Sequence, residues 1–206
     1  MAKVKIRWRI LLSVFGLFLP FQAARADFFN MHSFVEPDRF AIGLEPVLTL
    51  TNGAGLGVNL RFTYGINDVI NVGLAGGSGG GDRRFRLGGY GVFDFFPDTD
   101  DQPGIGVVAS VFYYDMKTIN RVEWMATPYF HNAFVTEGGE EFDPFVAVPL
   151  GYGLVDGENN EENQFLVSVV VGSIFRKSEH FAFSFELGVA VNYTHTYFSG
   201  GITYFY

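Results

Sequence analysis

The 206-residue sequence contains no cysteine. Disulfide staples are therefore excluded, and so is membrane attachment through a lipid-modified cysteine. Beyond residue 26 no run approaches the roughly 18 consecutive apolar residues that a spanning helix requires. Any membrane structure there must be made of strands, because in lipid only helices and closed barrels satisfy every backbone polar group. Basic residues are scarce as well: five of the 14 Lys and Arg fall in the first 26 residues and none of the 22 Asp and Glu do, leaving 9 against 22 and a formal charge of −13. No basic stripe interrupts that acidity, which excludes a nucleic-acid partner. The chain also lacks a Pro/Ser-rich linker and any convincing i, i+3, i+4, i+7 stretch, so it reads as one domain without amphipathic helices.

The first 26 residues carry the features of a cleaved signal peptide. Lys3, Lys5, Arg7 and Arg9 form a positive start, Ile10 to Phe21 an apolar centre, and Ala24-Arg25-Ala26 a small-x-small cleavage site. Asp27 is then the mature N-terminus, and 27–38 a periplasmic segment before the main fold.

From residue 39 onward the apolar residues recur with period two. Leu56, Val58, Leu60, Phe62, Tyr64 and Ile66 alternate with Gly57, Asn59, Arg61, Thr63 and Gly65; Phe181, Phe183, Phe185, Leu187, Val189 and Val191 alternate with Ala182, Ser184, Glu186, Gly188 and Ala190. The same reading predicts about ten strands, with eight as the alternative: 39–50, 54–66, 69–77, 84–96, 104–114, 121–135, 143–154, 164–175, 181–193 and 197–206. Turn-rich links such as Thr51-Asn52-Gly53, Asn67-Asp68 and Arg176 to His180 make successive strands antiparallel hairpins.

The two faces of these strands are the reverse of a soluble sheet. The large, aromatic residues share one face, while the other holds Gly, Ala and single charges, as a cramped lumen does. Strand lengths of about 9 to 11 residues suit a bilayer crossing. Phe40, Tyr64, Phe93, Phe95, Tyr113, Trp124, Phe130, Phe181, Phe183 and Tyr204 lie toward strand ends, where aromatic girdles form. The predicted fold is an all-β, antiparallel up-and-down transmembrane β-barrel over 39–206.

The C-terminal stretch Phe198-Ser-Gly-Gly-Ile202-Thr-Tyr204-Phe-Tyr206 resembles the last strand of small bacterial outer-membrane β-barrel proteins, with an aromatic final residue and alternate apolar residues before it. Gly200 departs from that pattern, and Tyr stands where Phe is commoner. The phrase Tyr64-Gly-Ile-Asn-Asp-Val-Ile-Asn-Val72 is similar to their tight periplasmic hairpins. The resemblance implies the outer membrane of a Gram-negative bacterium after export, both termini in the periplasm, contact with outer-membrane lipid and lipopolysaccharide, and recognition of Phe198, Ile202, Tyr204 and Tyr206 by the barrel-assembly machinery.

Inward parity collects Glu45, Arg61, Arg84, Arg86, Asp94, Glu123 and Glu186 into one lumenal charge cluster, with Glu45 and Arg61 brought together by the hairpin at Asn52. Opposite signs in so narrow a lumen predict paired charges and a narrow or occluded pore. Catalysis is not expected: Glu123, Thr127 and His131 share a face but sit about 13 Å apart along a strand. His195 and Ser199 are too widely spaced for a pair, and neither the His-x-Ser of barrel deacylases nor the Asp and Asp-x-His of barrel proteases is present. No metal or cofactor is expected either. The acidic turns at 98–101 and 156–162 match no calcium-loop spacing, and the glycine run at 76–81 lacks the Lys-Ser/Thr ending of a phosphate loop. The expected function is structural, or a narrow passive pore for very small solutes. A surface adhesin or receptor-type barrel is the alternative, and a lipid-modifying enzyme the third choice. External connections too short to form a large plug or receptor surface favour the first.

Overall fold

Among the described residues, alternating apolar and small or polar residues fold into twelve strands. The computed structural model describes residues 34–51, 54–79, 82–99, 102–117, 119–156 and 163–206. The signal-peptide reading of 1–26, the Asn52-Gly53 turn, and much of the 156–162 acidic turn lie outside the described residues, as do Gly80, Gly81, Asp100 and Asp101. The strands are β1 Phe40–Thr49, β2 Gly55–Asn67, β3 Ile70–Gly79, β4 Arg83–Phe96, β5 Gly104–Met116, β6 Asn120–His131, β7 Phe134–Val135, β8 Glu141–Ala147, β9 Leu150–Asp156, β10 Gln164–Arg176, β11 Phe181–Asn192 and β12 Tyr197–Phe205.

Every neighbouring pair is antiparallel. The order runs β11-β12-β1-β2-β3-β4-β5-β6-β9-β10, and pairing of β10 with β11 closes the ring. Ten staves result, one of them assembled from two strands. Between β6 and β10, β9 fills the end far from the termini and β8 the end near them. Regular alternation predicts one continuous strand over 143–154. Pro149, which has no N–H to give to the ladder, interrupts it. Around the break Val148 N donates to the Pro128 carbonyl at 3.0 Å and Ser168 N to the Pro149 carbonyl at 3.1 Å, so the wall stays hydrogen-bonded. The predicted sixth strand, 121–135, also differs: β6 ends at His131, and β7 turns back to pair with β8.

The burial pattern is inverted relative to a water-soluble protein. In β1, Ala41, Gly43, Glu45, Val47 and Thr49 are buried while Ile42, Leu44 and Leu48 are exposed. Leu60, Leu74 and Phe165 are each more than half exposed, whereas Arg121 and Glu123 are at most 1% exposed. Apolar side chains form the outer wall, and polar and small ones fill the inside.

Aromatic rings gather outside the end that carries the C-terminus. Tyr206 stacks on Phe40 at 4.5 Å between ring centroids, and Tyr204 meets Tyr206 edge-on at 4.6 Å and Phe181 at 4.9 Å. Such clusters join the first, last and penultimate staves by contacts beyond the backbone ladder.

Candidate functional site

The lumen is built from the inward residue of every second strand position, and its contents differ along the axis. At mid-height, Gly43 of β1 faces Arg61 of β2, and Glu45 faces Asn59. Arg61 therefore reaches diagonally to Glu45, with Nη1 to Oε1 at 2.8 Å, and its Nη2 donates to Thr203 Oγ1 at 3.2 Å. The guanidinium lies over Gly43, where a Cβ would come within 3.1 Å of Nη2. Arg86 adds a second positive charge acting on Glu45.

Toward the far end the lumen is a mesh of arginines, carboxylates and rings. Arg121 pairs with Glu123 two residues along on the same inward face, lies 5.8 Å from the Tyr114 ring centroid, and donates to Gln164 Oε1 at 3.4 Å. Arg86 stacks over Phe112 at 4.4 Å. Arg83 Nη2 donates to Thr49 Oγ1 at 2.9 Å, and the Tyr197 hydroxyl donates to Glu186. Removing such charges from water is costly, and the mutual pairing offsets that cost. Large rings fit because the neighbouring strand offers glycine: Tyr90 lies across Gly73, Tyr129 across Gly106 and Tyr197 across Gly188, each so closely that a Cβ there would meet ring atoms at 2.3 Å or less.

At the end that carries the C-terminus, Phe34 and Val35 enter the lumen, while residues 36–38 are exposed at its mouth. Val35, 1% exposed, gives its N–H to Asn71 Oδ1 at 2.7 Å and accepts from Asn71 Nδ2 at 3.0 Å. It packs in an inward apolar cluster that includes Ala41, Val92, Tyr129 and Phe205. The wall is cut away to admit it. At Gly65 a Cβ would lie 2.1 Å from the Glu36 carbonyl oxygen and 2.6 Å from that of Val35, both backbone atoms that cannot step aside. Asp38, in the left-handed region at φ 59°, turns the chain out of the mouth; its N–H donates to the Gly65 carbonyl and its carboxylate accepts from the Tyr64 hydroxyl at 3.0 Å.

Beside this segment His131 of β6 bridges two staves. Its Nδ1 lies 3.1 Å from Asp143 of β8 and its Nε2 3.9 Å from Asp94 of β4.

The charged residues singled out in the sequence thus separate. Glu45, Arg61, Arg86, Glu123 and Glu186 occupy the middle and far lumen, while Asp94 sits near the terminal mouth with His131. Arg84 is a correction: it is exposed, and Arg83 is the buried one. A β-bulge between Arg83 and Phe85 inserts one residue and reverses the facing there, which strict alternation does not anticipate. Arg121, Asn71 and Asp143 were not among the expected lumenal residues. Arg121 was open to parity, being two positions before Glu123; Asn71 carries no charge to attract notice, and Asp143 stands at the edge of a turn. Phe198, Ile202, Tyr204 and Tyr206 share the outward face of the last strand.

No family model matches the chain, and no curated protein matches it in sequence. Among solved structures the fold is similar to an outer membrane channel from Pseudomonas putida F1, with a TM-score of 0.52 and 8% identity over 88% of this chain and 100% of that one. A KdgM porin overlays with a TM-score of 0.41 and 14% identity over 80% of this chain and 98% of that one. At 8% identity the first likeness extends to the fold.

Proposed function

We propose that the protein is an integral outer-membrane barrel whose lumen is a narrow passive pore for very small solutes, held nearly shut at rest. The observation that carries this reading is the inversion of burial in a closed barrel: leucines and phenylalanines ring the outside while Glu45, Arg61, Arg121 and Glu123 are withdrawn inside. In water such a surface is a liability; in lipid it is what a spanning barrel requires. The likeness in fold to an outer membrane channel supports the same reading. With ten staves both termini share one side, which in this reading is the periplasm.

The charge mesh and the inserted N-terminal segment both narrow the path. The connections at the far end, 50–54, 80–82, 117–119, 157–163 and 193–196, span at most seven residues, which favours a pore over a receptor surface. Fractionation of a Gram-negative host, heat-modifiable migration on gels and single-channel recording of the purified barrel test the proposal together. Recovery as a soluble monomer overturns the membrane assignment. A folded, inserted protein with no conductance in any variant leaves a structural barrel and removes the pore.

A further inference from the structure

Beneath the inserted N-terminal segment lies a cavity of about 670 Å³ that no part of the pore reading uses. Its size falls within the range of pockets that hold small organic ligands. One side is apolar, formed by Phe34, Val92, Val108 and Tyr129. The other is acidic, with Asp94, Asp98, Glu141 and Asp143 on the lining against His131 and Arg176. Even with His131 protonated, four carboxylates face two cations.

Those charges are unevenly engaged. Arg176 is drawn aside over the Phe205 ring, 4.9 Å from its centroid. Asp98 accepts from the Ala133 N–H, and Asp143 is held by His131 at 3.1 Å. Asp94 differs. It is 7% exposed, its Oδ2 stands 3.9 Å from His131 Nε2, too far for a hydrogen bond, and neither its Oδ1 nor that Nε2 has a hydrogen-bond partner. A buried carboxylate oxygen without a donor is costly, and a cationic N–H group is the partner that best relieves it.

We propose that this cavity binds a small organic ammonium ion, with the ammonium donating to Asp94 and an apolar body lying against Phe34, Val92, Val108 and Tyr129. The apolar side argues for an organic cation over an inorganic one, since a hydrated metal ion gains nothing from it. Among the described residues no three His, Asp or Glu side chains converge as a metal site does. Tyr129 and Phe34 bring aromatic rings to the lining, and ammonium groups are attracted to aromatic rings. Binding here requires the folded barrel and does not require conduction, so the site stands or falls separately from the pore.

The test is calorimetric titration of the barrel, purified in detergent, with benzylammonium chloride, with benzyl alcohol as the neutral counterpart of nearly the same shape. Saturable binding of benzylammonium is expected, at least tenfold tighter than that of the alcohol, and weakened at least tenfold by Asp94→Asn. Val108→Phe narrows the cavity while leaving every charge in place, and it should weaken binding as well. Heat-modifiable migration confirms that each variant is folded, and Val108→Phe carries the test should Asp94→Asn fail to fold. Absence of saturable binding, equal affinity for the alcohol, or wild-type affinity in a folded variant of either kind overturns the proposal. Displacement of benzylammonium by stoichiometric zinc chloride overturns it in favour of a metal site.

Discussion

Glu45 Oε1 and Arg61 Nη1 stand 2.8 Å apart across the β1–β2 ladder, with neither side chain more than 3% exposed. A pair so placed is costly to form and costlier to break, because removing one partner strands the other. Glu45→Gln or Arg61→Gln alone is expected to destabilise the barrel by about 3 kcal/mol, the lower end of the 3 to 5 typical of buried pairs, since Thr203 and Arg86 remain as polar neighbours. The double variant should lose clearly less than the sum of the two. Denaturant midpoints in detergent for all four proteins measure this coupling, and strict additivity would show that the two groups do not interact. Under the pore reading, the single variants should also conduct more than wild type.

Asn71 is expected to be the latch of the N-terminal segment. Its side-chain amide spends both its oxygen and its nitrogen on Val35, so Asn71→Ala removes two hydrogen bonds. Loss of about 1 to 3 kcal/mol of local stability should free the segment without unfolding the barrel. Protease cleavage near residue 35 and single-channel conductance should both increase. Unchanged conductance with increased cleavage would show that the segment does not limit passage.

Gly65→Ala approaches the same contact from the other side. The added methyl meets two backbone carbonyls at 2.1 and 2.6 Å, so the segment must withdraw. The expected result is again faster cleavage of the N-terminal residues, with the strand pairing of β2 preserved. An intact segment in this variant would mean that Val35 is anchored independently of its approach to the wall.

Strand positions were largely legible in the sequence because one face of each strand must be apolar, and a period of two then sets both location and facing. The proximity of Glu45 to Arg61 was within reach for a related reason: a short hairpin fixes its own register. What escaped depended on departures from regularity. The bulge at Arg83–Phe85 exchanges Arg83 for Arg84, Pro149 splits a stave, and β7 folds back where continued alternation suggested one long strand. The approach of His131 to Asp94 and Asp143 was hidden because it joins three separate strands, His131 lying over Gly104 of β5 between β4 and β6. The insertion of Phe34 and Val35 was hidden too, since an irregular segment held by an uncharged asparagine leaves no periodic trace.

The outward face of the last strand should govern assembly. Tyr204 and Tyr206 join Phe40 and Phe181 in one aromatic cluster across the first, last and penultimate staves. Replacing both tyrosines with Ser is expected to reduce the folded, membrane-inserted fraction several-fold in cells, while refolding in detergent suffers less. Equal loss in both settings would assign the tyrosines to stability alone, and wild-type insertion would remove them from assembly altogether.

Arg83 and Arg84 provide the sharpest check on the facing of β4, because adjacent residues of the same type are placed on opposite sides of the wall. Arg83 is buried and donates to Thr49, whereas Arg84 is exposed. Arg83→Ala should therefore cost about 1 to 3 kcal/mol through the hydrogen bond and packing it removes, and Arg84→Ala within about 0.5 kcal/mol of nothing. The absence of cysteine from the chain makes a second readout clean. In single-cysteine variants, Arg84→Cys should react readily with a maleimide in detergent and Arg83→Cys slowly, because only the first thiol lies on the outer surface. If the two rates are reversed, the bulge is misplaced and strict alternation resumes through β4; the charge facing Thr49 would then be that of Arg84, as the uninterrupted period requires.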